Sequence, residues 1–290
     1  MATATHESRQ ALFERARQAL VRGLQEVRPA VSVDADGRTP RVQDNLADGI
    51  ERSWYDADFI ESTGADFETE MREVHASSAL AVNAFAPWRP YPSHLLLTGR
   101  TGFRAIRFDK ICPTPLDGPP AYLDAFAEAP GAVVGIEIKC LEYLVAPSPK
   151  YLRSYEEANA QALRDITDER AGSGWFDEIK LSQRDPNAIR FLFAAQLIKQ
   201  FIALTHQFPK ADKTLLYLYW EPTNWQDFDL FRSHRAELGR FAAAVTARDA
   251  GVRFRHQTFA ELFSAWVRQP QPAWLAAHAR WLASRYTVAI

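Results

Sequence analysis

Apolar residues open the chain at helical spacing. Leu12, Phe13, Ala16, Leu20 and Leu24 recur with Arg and Glu between them, which predicts an amphipathic helix over 7–27. Residues 29–43, with Pro29, Gly37 and Pro40, predict a linker or extended arm. A second helical region covers 45–60, Gly64 interrupts it, and a third helix is predicted from Phe67 to Phe85, ended by Pro87. The period then shortens to two. Strands are expected at Leu95 to Leu97 or Phe103 to Phe108, at Tyr122 to Phe126 and at Val133 to Leu141. Gly99 and Gly102 leave the first of these open, because they also suit a small hairpin.

Residues 145–186 are polar and broken by Pro147, Pro149, Gly172 and Gly174, so they read as an insertion with one helix from Ser154 to Glu169. An apolar helix at Asn187–His206 and a buried strand at Thr214–Trp220 follow. A helix over 230–248, a strand at Val252–His256, a helix at Phe259–Val267 and a Trp-rich helix at Trp274–Tyr286 complete the chain. The expected fold is a single α/β domain over 1–290, a mixed sheet flanked by helices. Its expected parts are a helical N-terminal extension (1–63), a core (64–143 and 187–267), an insertion (144–186) and a C-terminal helix (268–290).

Composition narrows the function without naming it. Charged residues make up 24% and hydrophobic ones 47% of 290 residues, the balance of an ordinary globular protein. A net charge of −2 is not that of a nonspecific DNA coater, so any nucleic-acid site must be a local basic groove. No apolar run approaches the roughly 20 residues of a membrane span, and the polar start lacks a signal-peptide pattern. Cys112 and Cys140 form neither a disulfide framework nor a metal spacing, so a reducing cytoplasm is the expected location.

The chemistry concentrates in residues 120–142. Asp124 precedes a Glu137-Ile138-Lys139 triplet, and Pro130-Gly131 marks a turn midway between them. Alternation puts Glu137 and Lys139 on one strand face and Ile136, Ile138 and Cys140 on the other. A hairpin centred on Pro130-Gly131 sets Asp124 across from Glu137. Pro followed by Gly favours a type II turn, so a longer loop from about Glu128 to Ala132 is expected around the same centre.

This pattern resembles the catalytic hairpin of the PD-(D/E)XK, or restriction-endonuclease-like, nuclease superfamily, with Leu123-Asp124 where that family often has Pro-Asp. The stretch from Met71 to Trp88 is similar to the helix preceding the sheet in a bacterial restriction-endonuclease branch, and the likeness covers about residues 64 to 220. The resemblance implies an αβββαβ core, matched by the first six core elements, and a DNA-cleaving activity dependent on Mg²⁺ or Mn²⁺.

Those residue types suit phosphodiester hydrolysis. Mg²⁺ takes one or two carboxylates and fills its octahedron with water and phosphate oxygens, a count that Asp124 and Glu137 meet. Lys139 can orient the attacking water or stabilise developing charge; acting as a base needs a depressed pKa, and the sequence leaves both open. Removing either carboxylate is expected to abolish cleavage and to leave stability unchanged or raised. The resemblance further suggests Gln196, on the apolar helix, as a catalytic residue binding a metal water, against the equal alternative that the Gln196, Lys199 and Gln200 stripe faces solvent, and Asp66 as an extra metal ligand. It offers His75, Ser78 and Asn83 as nucleic-acid contacts, with helix capping and core hydrogen bonding as equal alternatives; Arg104 belongs to a candidate basic groove with Arg100, Arg107 and Lys110, whose default reading is scattered surface charge. Dipole compensation accounts equally for Asp66, Glu68, Glu70 and Glu73.

Other chemistries lack their signatures. The seven histidines have no zinc spacing, Gly99-Arg100-Thr101-Gly102 is neither a phosphate loop nor a dinucleotide fingerprint, and no Gly-x-Ser-x-Gly elbow occurs. An exonuclease or repair nuclease on the same core, and a non-catalytic nucleic-acid-binding protein, are the alternatives. A single active site cuts one strand, so a double-strand cutter would be a homodimer.

Overall fold

A computed structural model describes residues 8–63, 67–145, 173–185, 188–246, 251–269 and 272–290. Helix α1 (Arg9–Val27) begins where the Ser8 hydroxyl accepts the Ala11 N–H, and it buries Leu12, Ala16, Leu20 and Leu24 as the spacing predicts. Gly23 allows its close approach to the C-terminal end of the chain: a Cβ there would lie 2.1 Å from the Arg285 carbonyl oxygen. Helices α2 (Val42–Asn45) and α3 (Asp56–Thr63) follow.

The third predicted helix is two. Helix α4 (Phe67–Met71) and helix α5 (Ser77–Phe85) are separated by a segment that pairs with the preceding arm. Thr39 N–H donates to Arg72 O, Val74 N–H donates to Gly37 O, and Arg38 bridges Glu73. Backbone groups spent on the arm are not available to a helix, and the break results.

Strands β1 (Ala105–Cys112), β2 (Ala121–Ala129), β3 (Ala132–Lys139), β4 (Asp212–Tyr219) and β5 (Val252–Thr258) lie in that order in one mixed sheet. The first three are antiparallel; β3, β4 and β5 are parallel. The alternative first strand survives only as a Leu97–Arg100 bridge. Between β3 and β4 lie α6 (Glu142–Val145), α7 (Ser173–Arg184) and α8 (Ala194–Gln207). The helix expected at Ser154–Glu169 lies outside the described residues. Helix α8 starts later than its apolar pattern suggests, because the N–H groups of Arg190, Phe191 and Leu192 all turn to the Glu237 carboxylate. Helices α9 (Asp229–Thr246), α10 (Phe259–Arg268) and α11 (Ala273–Tyr286) complete the fold. A reciprocal cap between Thr258 and Glu261 starts α10.

Two cores cover the two sheet faces. Ile136, Ile138, Leu216 and Leu218 face α1, α5, α10 and α11, while Val133, Leu215, Tyr217 and Tyr219 face α7, α8 and α9. Asn83 knits the first core together and is fully buried. Its amide donates to Asn45 O and Tyr286 Oη, its side-chain oxygen accepts the Ala47 N–H, and its carbonyl accepts His278 Nε2 at 2.8 Å.

Burial pushes the His278 imidazole down to about 4, against a partial opposing pull from the Asn83 carbonyl. The unfolded chain therefore takes the proton first, near pH 6.5. Stability is fully present above that value and is lost as pH falls toward 4, by about 3 kcal/mol from this group. Urea melts between pH 7 and 4 should show that slope in the native chain and a flatter one in His278→Gln. Equal slopes would remove His278 as the cause.

Candidate active site

The β2–β3 ladder pairs Ala129 with Ala132 and Ala125 with Ile136. That is the register the hairpin centre predicts, and the ladder stops one step before Asp124 and Glu137. The loop is tighter than expected: Pro130 and Gly131 alone form it, with Gly131 at φ +67°. Pro fixes one dihedral and Gly takes the positive one, so two residues suffice to reverse the chain.

On β3, Glu137 and Lys139 project toward α8. Both are buried, and the Lys139 ammonium pairs with Glu137 Oε1. Glu137 Oε2 accepts the Gln196 amide at 3.0 Å and the Gln200 amide as well. Gln196 Oε1 in turn accepts from Lys139 Nζ at 3.3 Å, and the Phe193 ring lies 4.7 Å from the same ammonium. Burial alone would lower the Lys139 pKa. The charges of Glu137, Asp124 and Glu142 outweigh it, so the net shift is upward and Lys139 stays an ammonium.

Asp124 stands where the strands part. The ladder to β3 ends at Ala125, and Asp124 Oδ2 accepts the Ile138 N–H at 2.5 Å. The inward face of β2 changes at this residue: Ala125 and Ala127 pack into the first core, Ala121 and Leu123 into the second. The same change occurs on β1 between Phe108 and Cys112, around Asp109 at φ 41°. Asp109 and Asp124 thereby reach a cleft of about 300 Å³, shared with Glu70, Ser77, Ser78, Phe59 and Phe67.

Burial raises the carboxyl pKa of Asp124 well above its usual range, and the Glu137 charge adds to the rise. Burial also raises Asp109 and Glu70, opposed by hydrogen bonds from Ser62 and Ser78. Three carboxyl groups, Glu70, Asp109 and Asp124, thus line one opening in surroundings that disfavour their charge, and Glu137 Oε1 pairs with the Lys139 ammonium nearby in sequence on β3. Hard oxygens under mutual repulsion are the donor set a divalent cation relieves. Asp124 and Glu137 fit such an ion with two carboxylates. Among the described residues, no group of three or more His, Cys, Asp or Glu side chains forms a ready-made metal cage.

The other sequence candidates disperse. Ser78 lines the cleft and donates to Glu70 Oε1 at 3.1 Å. His75 packs edge-on against Phe13 and lies 3.4 Å from Glu73, with burial lowering its pKa. Asn83 is a buried tie between elements and has no surface with which to meet nucleic acid. Arg104 is exposed, but its backbone pairs with Glu128 near the hairpin turn, about 13 Å along the strand from Asp124. Arg100 is engaged by Asp212. Asp66 lies outside the described residues. Sequence reasoning did not assign Glu70, Asp109 or Gln200 to the site; the available signal was Gln200, a polar position on an otherwise apolar helix.

The family comparison bears on the chain as a whole. The model of a family described as restriction endonuclease associating with ARP matches residues 44–287. The chain belongs to that family. The match spans the sheet, the cleft and both glutamines of α8, and the mixed five-stranded sheet flanked by helices agrees with a restriction-endonuclease-like fold. No curated protein and no solved structure matches. No helix among the described residues is long and apolar enough to cross a membrane.

Proposed function

We propose that this protein is a Mg²⁺-dependent deoxyribonuclease, an endonuclease of restriction or phage defence, with Mn²⁺ as an alternative cation. One observation supports the reading: where β2 and β3 part, Asp124 accepts the N–H of Ile138, the residue between Glu137 and Lys139, and the Lys139 ammonium pairs with Glu137. Membership of a restriction-endonuclease family supports DNA as the substrate.

Asp124 and Glu137 would hold the cation, which would acidify a water and neutralise phosphate charge. Lys139, an ammonium paired with Glu137, would donate to the phosphate or the attacking water. Gln196 touches both Glu137 and Lys139 and keeps the two in register as charge shifts between them. The cleft of about 300 Å³ beside Asp124 has room for a hydrated cation and a phosphate oxygen. One such cluster cuts one strand, so a double-strand break requires two copies of the chain. Cys112 and Cys140 are both free and buried, in keeping with a cytoplasmic enzyme.

Supercoiled plasmid incubated with the protein and Mg²⁺ should pass to nicked and then linear forms, and EDTA should stop it. Digestion of linear DNA alone would make the enzyme an exonuclease. Plasmid that is bound but uncut in Mg²⁺ and in Mn²⁺ would make it a non-catalytic binder.

A further inference from the structure

We infer that Gln200 is a positioning residue for the nuclease site: it fixes the Glu137 carboxylate and the gap between β2 and β3, so that one carboxylate oxygen is presented to a cation. The inference rests on the nuclease reading above. Past the Ala125–Ile136 pair, β2 and β3 have no further ladder partners, and the strands need another tie. Gln200 supplies it. The residue is 1% exposed on α8. Its amide nitrogen donates at 2.7 Å to the Tyr122 carbonyl of β2 and also to Glu137 Oε2 of β3.

The amide orientation is dictated by its partners. Nε2 has two hydrogens and meets two acceptors; the flipped amide would set an oxygen against both. The remaining atom, Gln200 Oε1, is buried without a hydrogen-bond partner among the described residues. Its neighbours on the helix, Leu197, Phe201 and Leu204, belong to the apolar core. A Met or Leu would fill the position without stranding an acceptor, so packing does not account for a glutamine here.

Its effect on Glu137 is specific. Gln200 and Gln196 both occupy Oε2, which leaves Oε1 for Lys139 or for a cation. Gln196 is half-buried and contacts the Lys139 side chain, so it can follow a movement of that ammonium. Gln200 is anchored to backbone and cannot. Gln196 therefore adjusts and Gln200 sets the geometry, as partners behind a metal ligand commonly do.

The test measures Mn²⁺ binding by calorimetry, alongside Mg²⁺-dependent cleavage, in the full chain and in Gln200→Ala, Gln200→Met and Glu137→Gln. Both Gln200 variants should bind Mn²⁺ about 10- to 100-fold more weakly and need correspondingly more Mg²⁺ for half-maximal cleavage. Their KM for DNA should be unchanged, and saturating Mg²⁺ should restore kcat. A packing defect would not be rescued by the cation. Unchanged Mn²⁺ affinity, activity not restored at saturating Mg²⁺, or unfolding of both the Ala and the volume-matched Met variant would overturn the inference. If the native chain binds no Mn²⁺, or Glu137→Gln binds it as tightly as the native chain, the nuclease reading fails as well. A Glu137-dependent cation site indifferent to Gln200 would overturn the positioning role alone.

Discussion

Asp124→Asn and Glu137→Gln should each lower Mg²⁺-dependent plasmid cleavage about 1,000-fold, a loss of roughly 4 kcal/mol of transition-state stabilisation. Their effects on folding should be opposite. Asp124 carries a charge disfavoured by burial and by Glu137, and an asparagine oxygen can still accept the Ile138 N–H. Asp124→Asn should therefore melt at or above the native temperature at neutral pH. Glu137→Gln strips the buried Lys139 ammonium of its carboxylate and sets an amide against the donors of Gln196 and Gln200. Breaking one side of a buried pair costs about 3–5 kcal/mol, so this variant should be markedly less stable. The sequence alone had suggested that loss of either carboxylate would be harmless to the fold. The ion pair makes the two sites unequal. Urea melts beside plasmid nicking measure both effects, and full Mg²⁺-dependent activity in either variant would sink the assignment.

Lys139→Met should reduce turnover by about 100- to 1,000-fold while changing DNA affinity only slightly, because its charge is needed most as negative charge develops on the phosphate. Gel-shift affinity and single-turnover rates separate the two; an equal loss in both would make Lys139 a simple phosphate clamp. The substitution should also destabilise the cation-free protein by about 3–5 kcal/mol, since Glu137 Oε1 would lose its charge partner beside Asp124. Mg²⁺ would then fill the missing role. Its addition should raise the melting temperature more in Lys139→Met than in the native chain, and an equal rise would argue against a shared site for ammonium and cation.

Much of this arrangement was legible locally. The alternation Val134, Ile136, Ile138 against Val133, Glu137, Lys139 reports which side chains share a face, because a strand's period is two whatever packs on it. Pro130-Gly131 marks the turn centre. The polar positions of α8 at Gln196 and Gln200 stand out against an apolar helix. The break between α4 and α5 was not legible, because the arm that takes its backbone groups lies more than thirty residues upstream. Nor was the short loop, where the ladder at Ala129–Ala132 overrode the turn preference inferred from residue type.

The amino-acid sequence by itself determined the order of elements from β2 to the last helix among the described residues, the polar face of β3, the hairpin centre and the membership of a restriction-endonuclease family. Only the tertiary structure decided which polar groups meet. Periodicity identifies the face a residue takes on its own element, but not what another element brings to that face. The shift of inward face at Asp109 and Asp124, the arrival of Gln200 from 63 residues beyond Glu137, and the withdrawal of Asn83 into the core all depend on how helices and strands pack. Buried donors and acceptors must find partners across that packing. Here the gap between β2 and β3 left the Ile138 N–H and the Tyr122 carbonyl to be met by Asp124 and Gln200, and that is how the candidate site was assembled.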